Sequence, residues 1–102
     1  MFYINKKGNR VNLTVTRHAI LQFCDRYQRL FNEKITCLQA QKYIEYCFPL
    51  NGIVKNFTKK ELKRIKKYGR TFYFRDNNFT YVVHDVFIMT VEISKKGFRH
   101  LN

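Results

Sequence analysis

The chain of 102 residues has no Trp, one Pro and four Gly. With no Pro- or Gly-rich linker and no internal repeat, one domain is expected, and the length leaves no room for a second core. Three cysteines, Cys24, Cys37 and Cys47, are too few and too widely spaced for a zinc knuckle or a CxxC redox pair, and an odd number argues against a closed disulfide framework. All three fall in segments that read as helix, so they are expected to be small buried apolar side chains. Long hydrophobic runs are missing. The longest, YVVHDVFIM at 81–89, is broken by His84-Asp85 and cannot span a bilayer. The opening MFYINKKGNR is too short in apolar residues for a signal peptide. An intracellular protein of the cytoplasm, without membrane attachment, is the expectation.

Other absences concern chemistry. There is no GxxxxGK[ST], no GxGxxG and no Gly-flanked serine, which disfavours phosphoryl transfer from a nucleotide, dinucleotide redox chemistry and serine hydrolysis. Three His and seven scattered acidic residues show no HExxH and no carboxylate pair, so neither metal nor cofactor is expected.

Positive charge is abundant. Twenty Lys+Arg against seven Asp+Glu give a net charge of +13. Such an excess works against the compact state through self-repulsion and is usually kept for an anionic partner. Nucleic acid is favoured, RNA over DNA, with an acidic protein as the alternative partner. Hydrophobic residues at 45% are enough for a packed interior. The bias toward Ile, Lys, Asn, Phe and Tyr is what AT-rich coding sequence produces, as in phage, viral, plastid or low-GC bacterial genomes.

Residues 2–5 and 11–15 are β-rich around a KKGNR turn. Thr16 is a suitable N-cap for a helix running from Arg17 to about Phe31, with Ile20, Phe23, Tyr27, Leu30 and Phe31 recurring at helical steps. Thr36 and Gln39 form a capping box for a second helix whose buried stripe is Ala40, Ile44, Cys47 and Phe48, ended by Pro49 and Gly52. Thr58 and Glu61 form another box, opening a short basic helix over 57–69, with a basic loop or edge strand before the sheet as the alternative. The period then changes to two: 70–75, 79–84 and 86–93 read as a strand meander, with Asp76-Asn77-Asn78 as a turn that tolerates left-handed backbone. The fold class is α+β: two or three N-terminal helices on one face of a C-terminal antiparallel meander, with an N-terminal strand beside it. The domain is 1–94, and 95–102 reads as a basic tail.

Alternation divides the sheet into two faces. Phe72, Phe74, Phe79, Tyr81, Val83, Phe87, Met89, Val91 and Ile93 are expected against the helices. Thr71, Tyr73, Arg75, Thr80, Val82, His84, Ile88, Thr90 and Glu92 form the other set. A Tyr, an Arg, a His and a Thr on one polar face suit metal-independent RNA cleavage. His can carry the proton to or from a ribose or leaving oxygen, Arg can hold phosphate through paired donors, and Tyr can stack on a base.

The run Thr16-Arg17-His18-Ala19, then Gln22-Phe23 and Arg26, resembles the start of small prokaryotic domains that open with a His-Ala-x-x-Arg-(Phe/Met)-x-x-Arg helix. Their ending is similar to Tyr81-Val82-Val83 and Ile88-Met89-Thr90-Val91 here. The group is similar to the RelE-like and colicin-like ribonuclease superfamily, which implies a toxin-like endoribonuclease and an antitoxin as a partner. Gln22 stands where the motif has its first arginine, so the same resemblance allows a chain that binds RNA without cutting it.

The catalytic candidates are therefore His18, Arg26, Tyr73, Arg75, His84 and Thr90. Phosphate-contact candidates are Arg29, Lys59, Lys60, Lys63, Arg64, Lys66, Lys67 and Arg70. The hypotheses are a metal-independent endoribonuclease and a non-catalytic module binding nucleic acid or an acidic host protein, either of them monomeric or homodimeric.

Overall fold

A computed structural model describes residues 1–99. Strands β1 (Phe2–Ile4) and β2 (Arg10–Asn12) form an antiparallel hairpin, and the short β3 (Thr14–Val15) leads into α1 (Arg17–Phe31). Next come α2 (Cys37–Cys47), α3 (Lys59–Tyr68), β4 (Thr71–Arg75), β5 (Phe79–His84), β6 (Phe87–Ile93) and the single-turn α4 (Lys95–Arg99). The fold is α+β. The main sheet has the order β3-β6-β5-β4, antiparallel except for the parallel β3–β6 pair.

The helix starts follow local sequence chemistry. The Thr16 side chain caps α1 by accepting from the Ala19 N–H. Complete capping boxes, Thr36 with Gln39 and Thr58 with Glu61, open α2 and α3. The Thr16 hydroxyl also donates to the Ile88 carbonyl at 2.8 Å, fixing the start of α1 to β6.

The core lies between the sheet and the pair α1–α2. Phe23 packs 4.8 Å from Phe79, centroid to centroid, and Phe48 sits 4.9 Å from Phe74 and 5.0 Å from Tyr81. Tyr3 of the N-terminal hairpin closes the β4 side with an edge contact to Phe74 at 5.3 Å. Beyond β4, the Gly52 carbonyl accepts from Arg75 N–H and Val54 N–H donates to the Tyr73 carbonyl, which covers that edge. Only glycine fits there, since a Cβ at residue 52 would stand 2.2 Å from the Arg75 carbonyl oxygen.

Several expectations are corrected. The third helix does not join the other two: α3 crosses the opposite face, with Phe57, just before it, 6.2 Å from Tyr73 and Tyr68 at its end 6.5 Å from His84. Alternation also fails in β6. A register shift at Val82/Val83 pairs Val82 with Thr90 but Val83 with Ile88, so Met89 is the extra residue of a bulge. Ile88, expected on the polar face, is therefore fully buried in the core, while Phe87 and Met89, expected in the core, are exposed. The cysteines depart too: Cys24 is half-buried, and Cys37 and Cys47 are exposed.

The 76–78 turn forms without left-handed backbone. The Asp76 carboxylate accepts from the Asn78 and Phe79 N–H groups at 2.9 and 2.7 Å, and among the described residues the non-glycine positions with left-handed backbone are instead Asn32 and Asp85. Residues 95–99 of the expected tail form α4; the remaining 100–102 lie outside the described residues.

Candidate nucleic-acid interface

On the face under α3, register puts side chains in rows. Arg75, Thr80 and Glu92 make one row, Tyr73, Val82 and Thr90 the next, and Thr71, His84 and Phe87 the last. The first and last rows are about 13 Å apart, four residues along a strand. Helix α3 runs across all of them: Glu61 over the first, Arg64 beside Tyr73, Tyr68 over the last.

A polar network ties α3 down at the first row. Arg75 pairs with the buried Glu61 through its terminal nitrogen. Its Nε donates to the Thr80 hydroxyl at 2.9 Å. The Ser94 hydroxyl gives its proton to the Asp76 carbonyl at 3.0 Å, so across the 3.1 Å contact between Thr80 and Ser94 it is Thr80 that donates. The Thr80 and Ser94 protons are thereby both spoken for, and Arg75 is a fixed structural cation. Arg64 pairs with Glu92 at 3.3 Å, and its guanidinium centre lies 5.9 Å from the Tyr73 ring. Burial works against the charge of Arg64, but Glu92 and Tyr73 outweigh it and hold the group above its ordinary pKa. Burial likewise pushes the Tyr73 hydroxyl up, against the pull of Arg64, so Tyr73 stays protonated.

Beside this network opens a cleft of about 670 Å³, lined by Lys60, Arg64, Arg75, Lys95 and Lys96 and by the acids Glu61, Asp76 and Glu92. The acids that could neutralise the helix are already used by the two arginines. Lys59, Lys60, Lys63 and Lys66 are exposed and have no ion-pair partner among the described residues. Lys67 lies 5.1 Å from the ring centre of its neighbour Tyr68. Arg70 pairs with Asp85 at 3.6 Å in solvent.

The catalytic candidates are not brought together. His18 is exposed on α1, and Arg26, about 12 Å further along that helix, pairs with Asp25 at 2.8 Å. Arg29 follows one turn on. This stripe runs beside β6, with Gln22 accepting from the Val91 N–H at 3.0 Å. Tyr73 and Arg75 are on β4, two strands away and on the other face. His84 is on that face but four rungs from Arg75, and Thr90 lies in the row between. Two proton carriers around one phosphate are not assembled. Among the described residues no group of three or more His, Cys, Asp or Glu is placed to hold a metal ion, and no helix is long and apolar enough to cross a membrane.

Sequence reasoning missed Glu61, Glu92 and Ser94 as the residues that fix the site. Glu61 had been accounted for as a cap, yet one of its oxygens serves the cap and the other Arg75. Tyr68 and Phe87 were missed as surface groups. No family model matches the chain, and comparison with curated proteins and with solved structures finds no match.

Proposed function

We propose that this protein binds nucleic acid, RNA in preference to DNA, through the outward face of α3 and the cleft beside it. The observation that carries the reading is the division of labour along α3. Its inward groups, Glu61 and Arg64, are consumed by contacts to the sheet, while Lys59, Lys60, Lys63 and Lys66 face solvent with no ion-pair partner among the described residues. Such a row can release counterions from a phosphate backbone, which is the main source of sequence-independent affinity. Binding without cleavage is favoured over a ribonuclease, because His18 and Arg75 lie on opposite sides of the sheet.

A labelled structured RNA incubated with the protein in EDTA tests both parts, read for mobility and for length. The expected result is a shift at low salt, weakened at moderate salt, with the RNA intact. Shortened products absent with His18→Ala would replace the binding reading with the ribonuclease. An absence of any shift at low salt would remove nucleic acid as the partner.

A further inference from the structure

Where α3 ends, aromatic rings lie in solvent beside the lysine row. Tyr68, the last residue of α3, is 55% exposed, and Phe87 is 42% exposed. Between them stands His84, which is the cross-strand partner of Phe87 and makes an edge contact with Tyr68 at 6.5 Å. Tyr46, Phe31 and Phe2 are exposed rings as well; what sets Tyr68 and Phe87 apart is the lysine row of α3 beside them. The β6 bulge is what turns Phe87 outward: in strict alternation it would lie on the core side.

The same corner holds polar groups without partners. Thr71, 6% exposed, is opposite His84 in the β4–β5 register, and among the described residues its hydroxyl has no hydrogen-bond partner. The buried His84 Nδ1 atom has none among them either. Unpaired buried polar atoms are rare in folded proteins and ask for a ligand or a water. Cations border the corner, with Lys67 5.1 Å from the Tyr68 ring centre and Arg70 largely exposed beside Asp85.

We infer that Tyr68, His84 and Phe87 form a base-stacking platform, so that the partner of the α3 lysines is a single-stranded nucleic acid; this rests on the nucleic-acid reading above. A duplex keeps its base faces stacked inside and presents phosphates and groove edges, against which exposed rings gain little. A single strand presents the flat face of every base, and rings beside a cationic track are how sequence-tolerant single-strand binding is built. The layout fits this use. The lysines follow α3 for about 12 Å, from Lys59 to Lys67, and end at Tyr68, so a backbone tracking the helix delivers a base to the platform.

The test compares binding of the full chain to a labelled 15-nucleotide single-stranded RNA and to the same RNA annealed to its complement. The single strand is expected to bind about tenfold tighter or more. Phe87→Ala and Tyr68→Ala should each weaken single-strand binding about fivefold or more and leave duplex binding unchanged, while Phe87→Tyr retains it. Both positions are solvent-exposed, and Phe87→Leu, which keeps apolar bulk without a ring, separates lost stacking from lost folding. Equal affinity for the two RNAs, or wild-type single-strand affinity in both alanine variants, overturns the platform while leaving the lysine row as a phosphate contact. Binding to neither RNA overturns the nucleic-acid reading and the platform with it.

Discussion

The side-chain oxygen of Gln22 accepts the Val91 backbone N–H at 3.0 Å, joining the middle of α1 to the part of β6 that lies beyond the end of β3. Position 22 is thus structural. Gln22→Ala leaves a strand N–H without its partner and should lower unfolding free energy by about 1–3 kcal/mol, with RNA binding unchanged. Gln22→Arg should cost at least as much, because arginine has no acceptor to offer. Denaturant titration of both variants checks this, and an arginine variant as stable as the parent would contradict it.

Glu61 serves two partners at once, the Thr58 N–H at the helix start and Arg75 on the sheet. Glu61→Ala loses both and should cost about 2–3 kcal/mol, less than a fully buried pair because Arg75 is partly in solvent. Glu61→Gln keeps a capping oxygen but not the charge, so the difference between the two variants isolates the cap. Equal midpoints for both variants and the parent would show that α3 is held by other contacts.

Burial pushes the Tyr81 hydroxyl well above its ordinary value of 10.0, with Asp76, Tyr43 and Cys47 adding to the effect, and burial also raises Tyr3, Tyr43 and Tyr73. Above pH 10 the unfolded chain releases tyrosine protons that the folded chain retains, so the unfolded state binds fewer protons and stability falls as pH rises. Below pH 10 this contribution is intact. Tyr81→Phe, which also removes a buried hydroxyl without a partner, should flatten the alkaline decline. A melting-temperature series from pH 8 to 11 reads it, and an unchanged slope in the variant would rule Tyr81 out as the cause.

The Cys24 thiol is pushed up by burial and by the neighbouring Cys37, whereas Cys37 and Cys47 are exposed. Thiolate is the reactive form, so an alkylating reagent at neutral pH should modify Cys37 and Cys47 first and Cys24 about tenfold more slowly. Peptide mass mapping over time follows the order. Early labelling of Cys24 would mean that the α1–α2 corner opens more readily than its packing implies.

What was legible in the sequence was local. Thr16, Thr36 with Gln39, and Thr58 with Glu61 mark helix starts because capping depends on residues three apart. Period-two patterning placed Tyr73, Arg75, Thr80, Val82 and His84 correctly on one face, since β4 and β5 pair without interruption. It failed at Ile88 and Phe87, because one bulged residue reverses the sides and leaves no glycine to signal it. The side taken by α3 was not legible either. Its inward residues Glu61 and Arg64 read as surface until Arg75 and Glu92 are known to lie beneath them. The separation of His18 from Arg75 is a matter of strand order, which spacing in the chain does not encode.

The salt dependence of single-stranded RNA binding, measured for the parent and for the Lys59→Ala/Lys63→Ala/Lys66→Ala variant, tests the central claim most directly. Each phosphate contact on a single strand contributes a slope of about −0.7 in log affinity against log salt. The triple variant is predicted to bind more weakly at low salt and to show a slope shallower by about 2. Identical slopes and affinities in the two proteins would contradict a role for the outward face of α3.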